Sequence, residues 1–229
     1  HFCVQHREPG DSAGTASASM HTHPFIARSL LLGTLMSTVP LAQAGRFQDD
    51  FSDSNSGWAH AAATSHQHRG FAVYTDSAKY QMTPVQDDTF GFAPAPRQLG
   101  GEVSVNADLF LYAGVGRGGA GLACRYRNPA NFDAALARGD GTLVLMRVRE
   151  GKAEMLAGGP VESVIPGSVD TRIELRCSGD RLSARTREGL VIEAASAGPA
   201  EGQSGLLVIG EAAAGTSAVF DNFELRALK

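Results

Sequence analysis

Residues Ala120–Leu156 read AGLACRYRNPANFDAALARGDGTLVLMRVREGKAEML, and Thr171–Ser178, beyond a Gly/Pro-rich link, reads TRIELRCS. Short runs alternate in polarity, and each is cut by a turn signal: Asn128-Pro129, Asp140-Gly141, Glu150-Gly151, Ser178-Gly179-Asp180. Alternation at period two between turn residues is the pattern of successive antiparallel strands. It also sorts the side chains into two faces. One face takes Leu122, Cys124, Tyr126, Val144, Met146, Val148, Ile173, Leu175, Cys177, Leu182 and Ala184, which reads as core. The other takes Arg125, Arg127, Arg147, Arg149, Arg172, Glu174, Arg176, Arg181, Arg185 and Arg187, which reads as an arginine-rich sheet surface.

The same pattern extends outward through the chain. Strands are expected near 47–52, 70–74, 78–83, 102–112, 120–127, 131–138, 142–149, 152–157, 171–178, 181–187, 190–194, 204–209 and 217–226. Gly91–Gly101, with its two prolines, reads as a connecting loop. No segment carries a long 3.6-residue period, and nothing repeats at a fixed interval, which argues against helical, propeller and solenoid folds. Two packed antiparallel sheets, an all-β jelly-roll sandwich spanning 45–229, is the expected architecture. A single monomeric domain suits that length.

Upstream, residues 1–19 are polar and aperiodic and read as an extension without a fold of its own. Met20 then opens a mildly basic stretch, Leu30–Leu41 is an apolar core, and Ala42-Gln43-Ala44 matches an A-x-A cleavage site. Together, residues 20–44 are expected to be a secretory signal peptide, too short for a membrane span. Export to the periplasm or beyond would leave Cys124 and Cys177 as an even pair in an oxidising compartment. The expectation is a disulfide joining two strands of one sheet. Neither cysteine has a His or second Cys at metal-ligand spacing.

Several stretches resemble the laminin-G-like, concanavalin A-like jelly rolls of bacterial exported proteins. They are FQDDFSDSNSGW (Phe47–Trp58), GLACRYRNPANF (Gly121–Phe132), DGTLVLMRVREGK (Asp140–Lys152), RIELRCSGDRLS (Arg172–Ser183) and VFDNFEL (Val219–Leu225). At Arg187-Glu188-Gly189 the chain departs from the Asn-Gly turn common in that family. The resemblance implies a sandwich with paired cysteines. It leaves glycan binding, adhesion and glycoside hydrolysis all open, since such folds host each of them. It also implies a structural Ca2+ where first and last strands meet. Asp49, Asp50, Asp53 and Asp221 are the hard oxygen donors for it, and bonds to backbone N–H or arginine are the alternative use of Asp49 and Asp221.

Charge distribution gives the functional expectation its direction. Residues 125–187 hold eleven Lys/Arg against eight Asp/Glu, whereas the rest of 45–229 holds seven against fourteen. Guanidinium forks bind carboxylate and sulfate bidentately and stack on planar rings. Within what the resemblance implies, the expected activity is non-catalytic carbohydrate binding directed at anionic glycans. The alternative is a solvated sheet face whose arginine stems cover apolar surface and pair with Glu174 and its neighbours. The candidate ligand residues are Arg125, Arg147, Arg176 and Arg185, with Tyr126, Asn131 and Trp58 beside them. Trp58 equally suits a core role, and Asn131 suits backbone satisfaction in its turn. A glycoside hydrolase with dispersed carboxylates is the enzymatic alternative, and a protein-binding adhesion module is the other. No paired-carboxylate run, G-x-S-x-G or H-E-x-x-H motif supports catalysis.

Nucleic acid is excluded as the expected partner because no aromatics interleave the arginines. Gly114–Gly119 matches G-x-G-x-x-G but joins two strands and opens no helix. Arg138-Gly139-Asp140 is a tripeptide on a hairpin tip, and His60, His66 and His68 form a loose histidine cluster.

Overall fold

A computed structural model describes residues 45–59, 70–84, 89–113, 118–161, 165, 167–198, 201–210 and 215–228. The expected signal peptide, the extension before it, the histidine cluster and most of the Gly114–Gly119 motif lie outside the described residues. Two antiparallel sheets form the fold. The eight-stranded sheet runs β12 (Val191–Ala195), β11 (Arg181–Thr186), β10 (Ser168–Ser178), β5 (Val103–Tyr112), β14 (Ser217–Ala227), β3 (Tyr80–Pro84), β2 (Gly70–Tyr74). Its remaining strand, β1 (Arg46–Asp49), also pairs with β14. The six-stranded sheet runs β4 (Thr89–Pro94), β13 (Gln203–Gly210), β6 (Gly119–Asn128), β7 (Asn131–Arg138), β8 (Thr142–Arg149), β9 (Lys152–Pro160).

Between the sheets lies the main core. Val105, Leu109 and Leu111 of β5 and Ile173, Leu175 and Cys177 of β10 belong to it. So do Leu122 and Cys124 of β6, Leu143 and Leu145 of β8, and Phe220 and Leu225 of β14. All are buried because alternate residues of each strand face the opposing sheet. A second apolar cluster, Phe92, Tyr126, Phe132, Leu136, Val144, Val148 and Leu207, lies on the other face of the six-stranded sheet.

Four expectations need correction. Gly91–Pro94, expected within a loop, belong to the strand Thr89–Pro94. It occupies the edge beside β13, and an edge strand tolerates proline because half of its N–H groups need no partner. The Cys124–Cys177 disulfide forms, but it joins β6 of one sheet to β10 of the other across the core, not two strands of a single sheet. In β8 the core residues are Leu143 and Leu145, while Val144 and Val148 face the second cluster. Apolar residues on both sides of this strand left its parity ambiguous.

The fourth correction concerns Trp58, which is 2 % exposed and packs against Phe51, Tyr80 and Phe223. Its indole Nε1 donates to Asp49 Oδ2 at 2.9 Å, so both ring and N–H are consumed inside the fold. It is therefore a core residue and not a ligand platform.

The disulfide closes a loop of 53 residues, for which chain-entropy arithmetic gives about 4 kcal/mol of stabilisation. Replacing both cysteines (Cys124→Ala with Cys177→Ala) is expected to lower the urea midpoint by a corresponding amount with the β-sheet circular dichroism retained. An unchanged midpoint would contradict a covalent tie between the sheets.

Candidate functional site

The arginines do not share one surface. In β6 one extra residue lies between Ala123, opposite Gly205, and Tyr126, opposite Gln203. A β-bulge of this kind reverses the facing of everything beyond it. Arg125, at φ 52°, occupies the bulge. Its guanidinium is turned inward and is 3 % exposed, while Tyr126 turns outward to stack on Phe92 at 3.8 Å within the second apolar cluster. The sequence-based parity had the two the other way round.

Inside the sandwich Arg125 Nη1 meets Asp133 Oδ2 at 3.3 Å and the Ser196 carbonyl at 3.2 Å, and Nη2 donates to the Gly179 carbonyl at 2.6 Å. Asp133 is fully buried and also accepts from Arg149 Nη2 at 2.7 Å and Ser196 Oγ at 3.1 Å. Arg147 donates to Glu154 on the neighbouring strand at 2.9 Å. Arg125 is thus a structural cation, and Arg147 and Arg149 belong to the six-stranded sheet. Asn131 donates to Asn128 Oδ1 at 3.0 Å and accepts from Glu150 N at 3.3 Å. Its amide serves the turns at the end of the hairpin.

Arg172, Arg176, Arg181, Arg185 and Arg187 are on or just beyond β10 and β11 of the eight-stranded sheet, on the face opposite its core residues. Register builds this face in rows, because cross-strand partners point to the same side. One row joins Arg226, Ser104, Arg176, Ser183 and Glu193. The next joins Glu224, Asn106, Glu174, Arg185 and Val191. Glu174, Arg176, Ser183, Arg185, Val191 and Glu193 line an open trough of about 270 Å³. A second hollow of about 440 Å³ continues it past Arg176, Ser183 and Glu193 to Ser178, Arg181 and Leu228.

Most cations on this face are paired. Arg176 Nε lies 3.3 Å from Glu174, Arg181 lies 2.9 Å from Glu193, and Arg46 and Arg226 both grip Glu224. Arg172 and Arg187 converge on Asp108 at 3.1 and 3.5 Å. Arg185, by contrast, is exposed and has no hydrogen-bond or ion-pair partner among the described residues.

The carboxylates expected to hold Ca2+ are engaged elsewhere. Asp49 accepts from Phe51 N at 2.7 Å as well as from Trp58, Asp50 from Ser52, and Asp53 from Asn55 N at 2.8 Å. A one-residue bulge between Asp221 and Glu224, with Asn222 at φ 48°, puts Asp221 on the face opposite Phe223 and Leu225. Asp221 consequently faces outward and pairs with Lys79. No group of three His, Cys, Asp or Glu suited to a metal occurs among the described residues. At the hairpin tip Arg138 and Asp140 pair with each other at 3.0 Å.

Among the described residues three carboxyl groups are shifted, and all three move down. Hydrogen bonds from the Ser52 side chain and backbone lower Asp50. Burial would raise Asp108, but hydrogen bonds from Asn222 and Arg172 outweigh it, and Arg226 and Arg46 do the same for Glu224.

Neither a family model nor a curated protein matches the chain. Solved structures do. The carbohydrate-binding module CBM66 from Bacillus subtilis superposes with a TM-score of 0.59 at 21 % identity, over 75 % of this chain and 96 % of that one. The fold is a concanavalin A-like jelly roll. A Ca2+/Man3GlcNAc-bound VIP36 exoplasmic/lumenal domain matches at TM-score 0.56 and 15 % identity, over 82 % and 90 % of the two chains. The Bacillus licheniformis beta-glucanase matches at 0.53 and 8 %, over 81 % and 99 %.

Two outcomes test the electrostatic layout. Asp133→Asn leaves Arg125 buried without a counter-charge, so unfolding should become easier by roughly 3–5 kcal/mol in urea titration; a cost near zero would show that the guanidinium is solvated. The lowered Asp108 carboxyl contributes stability that is complete above the ordinary carboxylate range, about pH 4, and is lost as pH falls through its lower folded value. Asp108→Asn should therefore lose stability at pH 7 and show a shallower decline on acidification. Parallel wild-type and variant curves would contradict this.

Proposed function

We propose that this domain is an exported, non-catalytic carbohydrate-binding module that takes anionic glycans on the outer face of its eight-stranded sheet. The observation that carries the reading is the trough between β10, β11 and β12, where Arg185, unpaired among the described residues, stands beside the Arg176–Glu174 pair. A guanidinium without a protein partner offers its full fork to a carboxylate or sulfate. Glu174, Ser183, Glu193 and the nearby Asn106 supply acceptors and donors of the kind that hold sugar hydroxyls. The interlocked ion pairs keep these groups in place before a ligand arrives, which lowers the entropic cost of binding.

Structural likeness to a carbohydrate-binding module and to a glycan-bound lectin domain supports the same class. The formed disulfide supports work in an oxidising compartment, as the signal peptide expected at residues 20–44 also implies. The narrower kinship to laminin-G-like domains belongs to this reading as well.

Polygalacturonate and alginate retention should fall steeply with added salt, because exposed charge pairs are screened. Arg176→Ala with Arg185→Ala should weaken binding about 10- to 100-fold, the loss of charge-assisted hydrogen bonds worth roughly 1.5–3 kcal/mol, and should flatten the salt dependence. Affinity electrophoresis measures both. Undiminished, salt-sensitive retention by the double variant would place the site elsewhere.

A further inference from the structure

Further along the same face, β5 presents two exposed aromatic side chains. Phe110 is 48 % and Tyr112 is 52 % exposed, although β5 lies between β10 and β14 near the middle of the sheet. Residues two apart on a strand share a face and sit roughly 7 Å from each other. The two rings therefore project side by side on the surface that carries Ser104, Asn106 and Asp108. Neither makes a ring–ring contact with another described residue, whereas the aromatics of both apolar clusters do.

Their surroundings are polar and can form hydrogen bonds. Phe110 lies between Asp170 and Val219, and Tyr112 between Ser168 and Ser217. Gln81 Nε2 donates to Ser217 Oγ at 2.9 Å, and Asp170 lies 3.5 Å from Arg187. Val73, 41 % exposed, flanks Gln81 across β2. Two aromatics cost free energy when left in water on a central strand. Planar apolar surface rimmed by amide, hydroxyl and carboxylate groups is what the flat face of a sugar ring requires.

This patch is continuous with the arginine trough. Ser104, in the Arg176 row, and Phe110 are six residues apart on β5, about 20 Å along the strand. The Asp108–Arg172–Arg187 ion cluster lies between them on the same face. Resting on the glycan-binding reading above, we infer that Phe110 and Tyr112 form a second subsite. It stacks on ring faces of an extended acidic polysaccharide whose charged groups are held at Arg176 and Arg185. The ligand class is then a linear polymer lying lengthwise along β5, not an isolated terminal sugar.

The test is calorimetric titration with galacturonate oligomers graded from dimer to octamer, using wild type, Phe110→Thr with Tyr112→Thr, and Arg176→Ala with Arg185→Ala. Threonine keeps a strand-compatible residue at both positions, and unchanged unfolding midpoints establish that both variants fold. Wild-type affinity should rise with length until both subsites are spanned. The Phe110/Tyr112 variant should lose about tenfold or more for the octamer while its dimer affinity and salt dependence stay as in wild type. A wild type that binds the dimer and gains nothing with length would overturn the inference, and so would a variant that keeps the gain; both leave the arginine site standing. A concentration-dependent dimer abolished by the Phe110/Tyr112 variant would reassign the patch to self-association. Failure of wild type to bind any oligomer would overturn the inference together with the functional reading.

Discussion

A buried charge pair at one end of the sandwich governs how its two sheets meet. Arg125 leaves the six-stranded sheet through a bulge and delivers its guanidinium to Asp133 and to the carbonyls of Gly179 and Ser196. Burying both ions is costly, and their attraction compensates only when the remaining hydrogen-bonding capacity is also used. The two carbonyls, Arg149 and Ser196 Oγ meet much of that requirement. Gly202 makes the bulge accessible: a Cβ there would sit 2.4 Å from the Arg125 carbonyl carbon, and its φ of 150° strains any other residue. The disulfide begins at the adjacent Cys124, so the covalent tie and the Arg125 hydrogen bonds that cross between the sheets act at neighbouring positions.

Anchoring this end has consequences for the opposite surface of the eight-stranded sheet. Its strands are fixed from behind by the core residues of β5, β10 and β14, and the outward side chains are left in register as rows of alternating charge. Most of those charges neutralise one another. In the proposed reading, recognition on this face falls to the few groups left open among the described residues, Arg185 among the cations and Phe110 and Tyr112 among the exposed aromatics. Net charge would have missed this, since the chain as a whole is acidic at −4.

Strand positions were legible in the sequence because turn residues delimit them: Asp140-Gly141, Glu150-Gly151 and Gly179 all sit at hairpin connections, and each glycine has positive φ. Which side of each strand faces inward was less legible. Period two carries parity only until an extra residue intervenes, and the bulges at Arg125 and Asn222 each reversed it for the residues that followed. Tyr126 was misplaced for that reason. The assignment of strands to sheets was not readable at all, because the meander β6–β9 and the hairpin β10–β11 look alike locally yet lie in opposing sheets. Arg176 and Arg185 kept their expected exposure because no bulge separates them from Cys177 and Leu182. Phe110 and Tyr112 carried a usable signal, aromatic residues in phase with Ser104, Asn106 and Asp108 on one strand.

The claim that recognition belongs to the outer face of the eight-stranded sheet is tested most directly by mapping backbone amide shifts during titration with a galacturonate oligomer. The account predicts perturbations concentrated on β5, β10 and β11, strongest near Arg176 and Arg185. Perturbations confined instead to β6, β7 and β8, over the second apolar cluster, would contradict it.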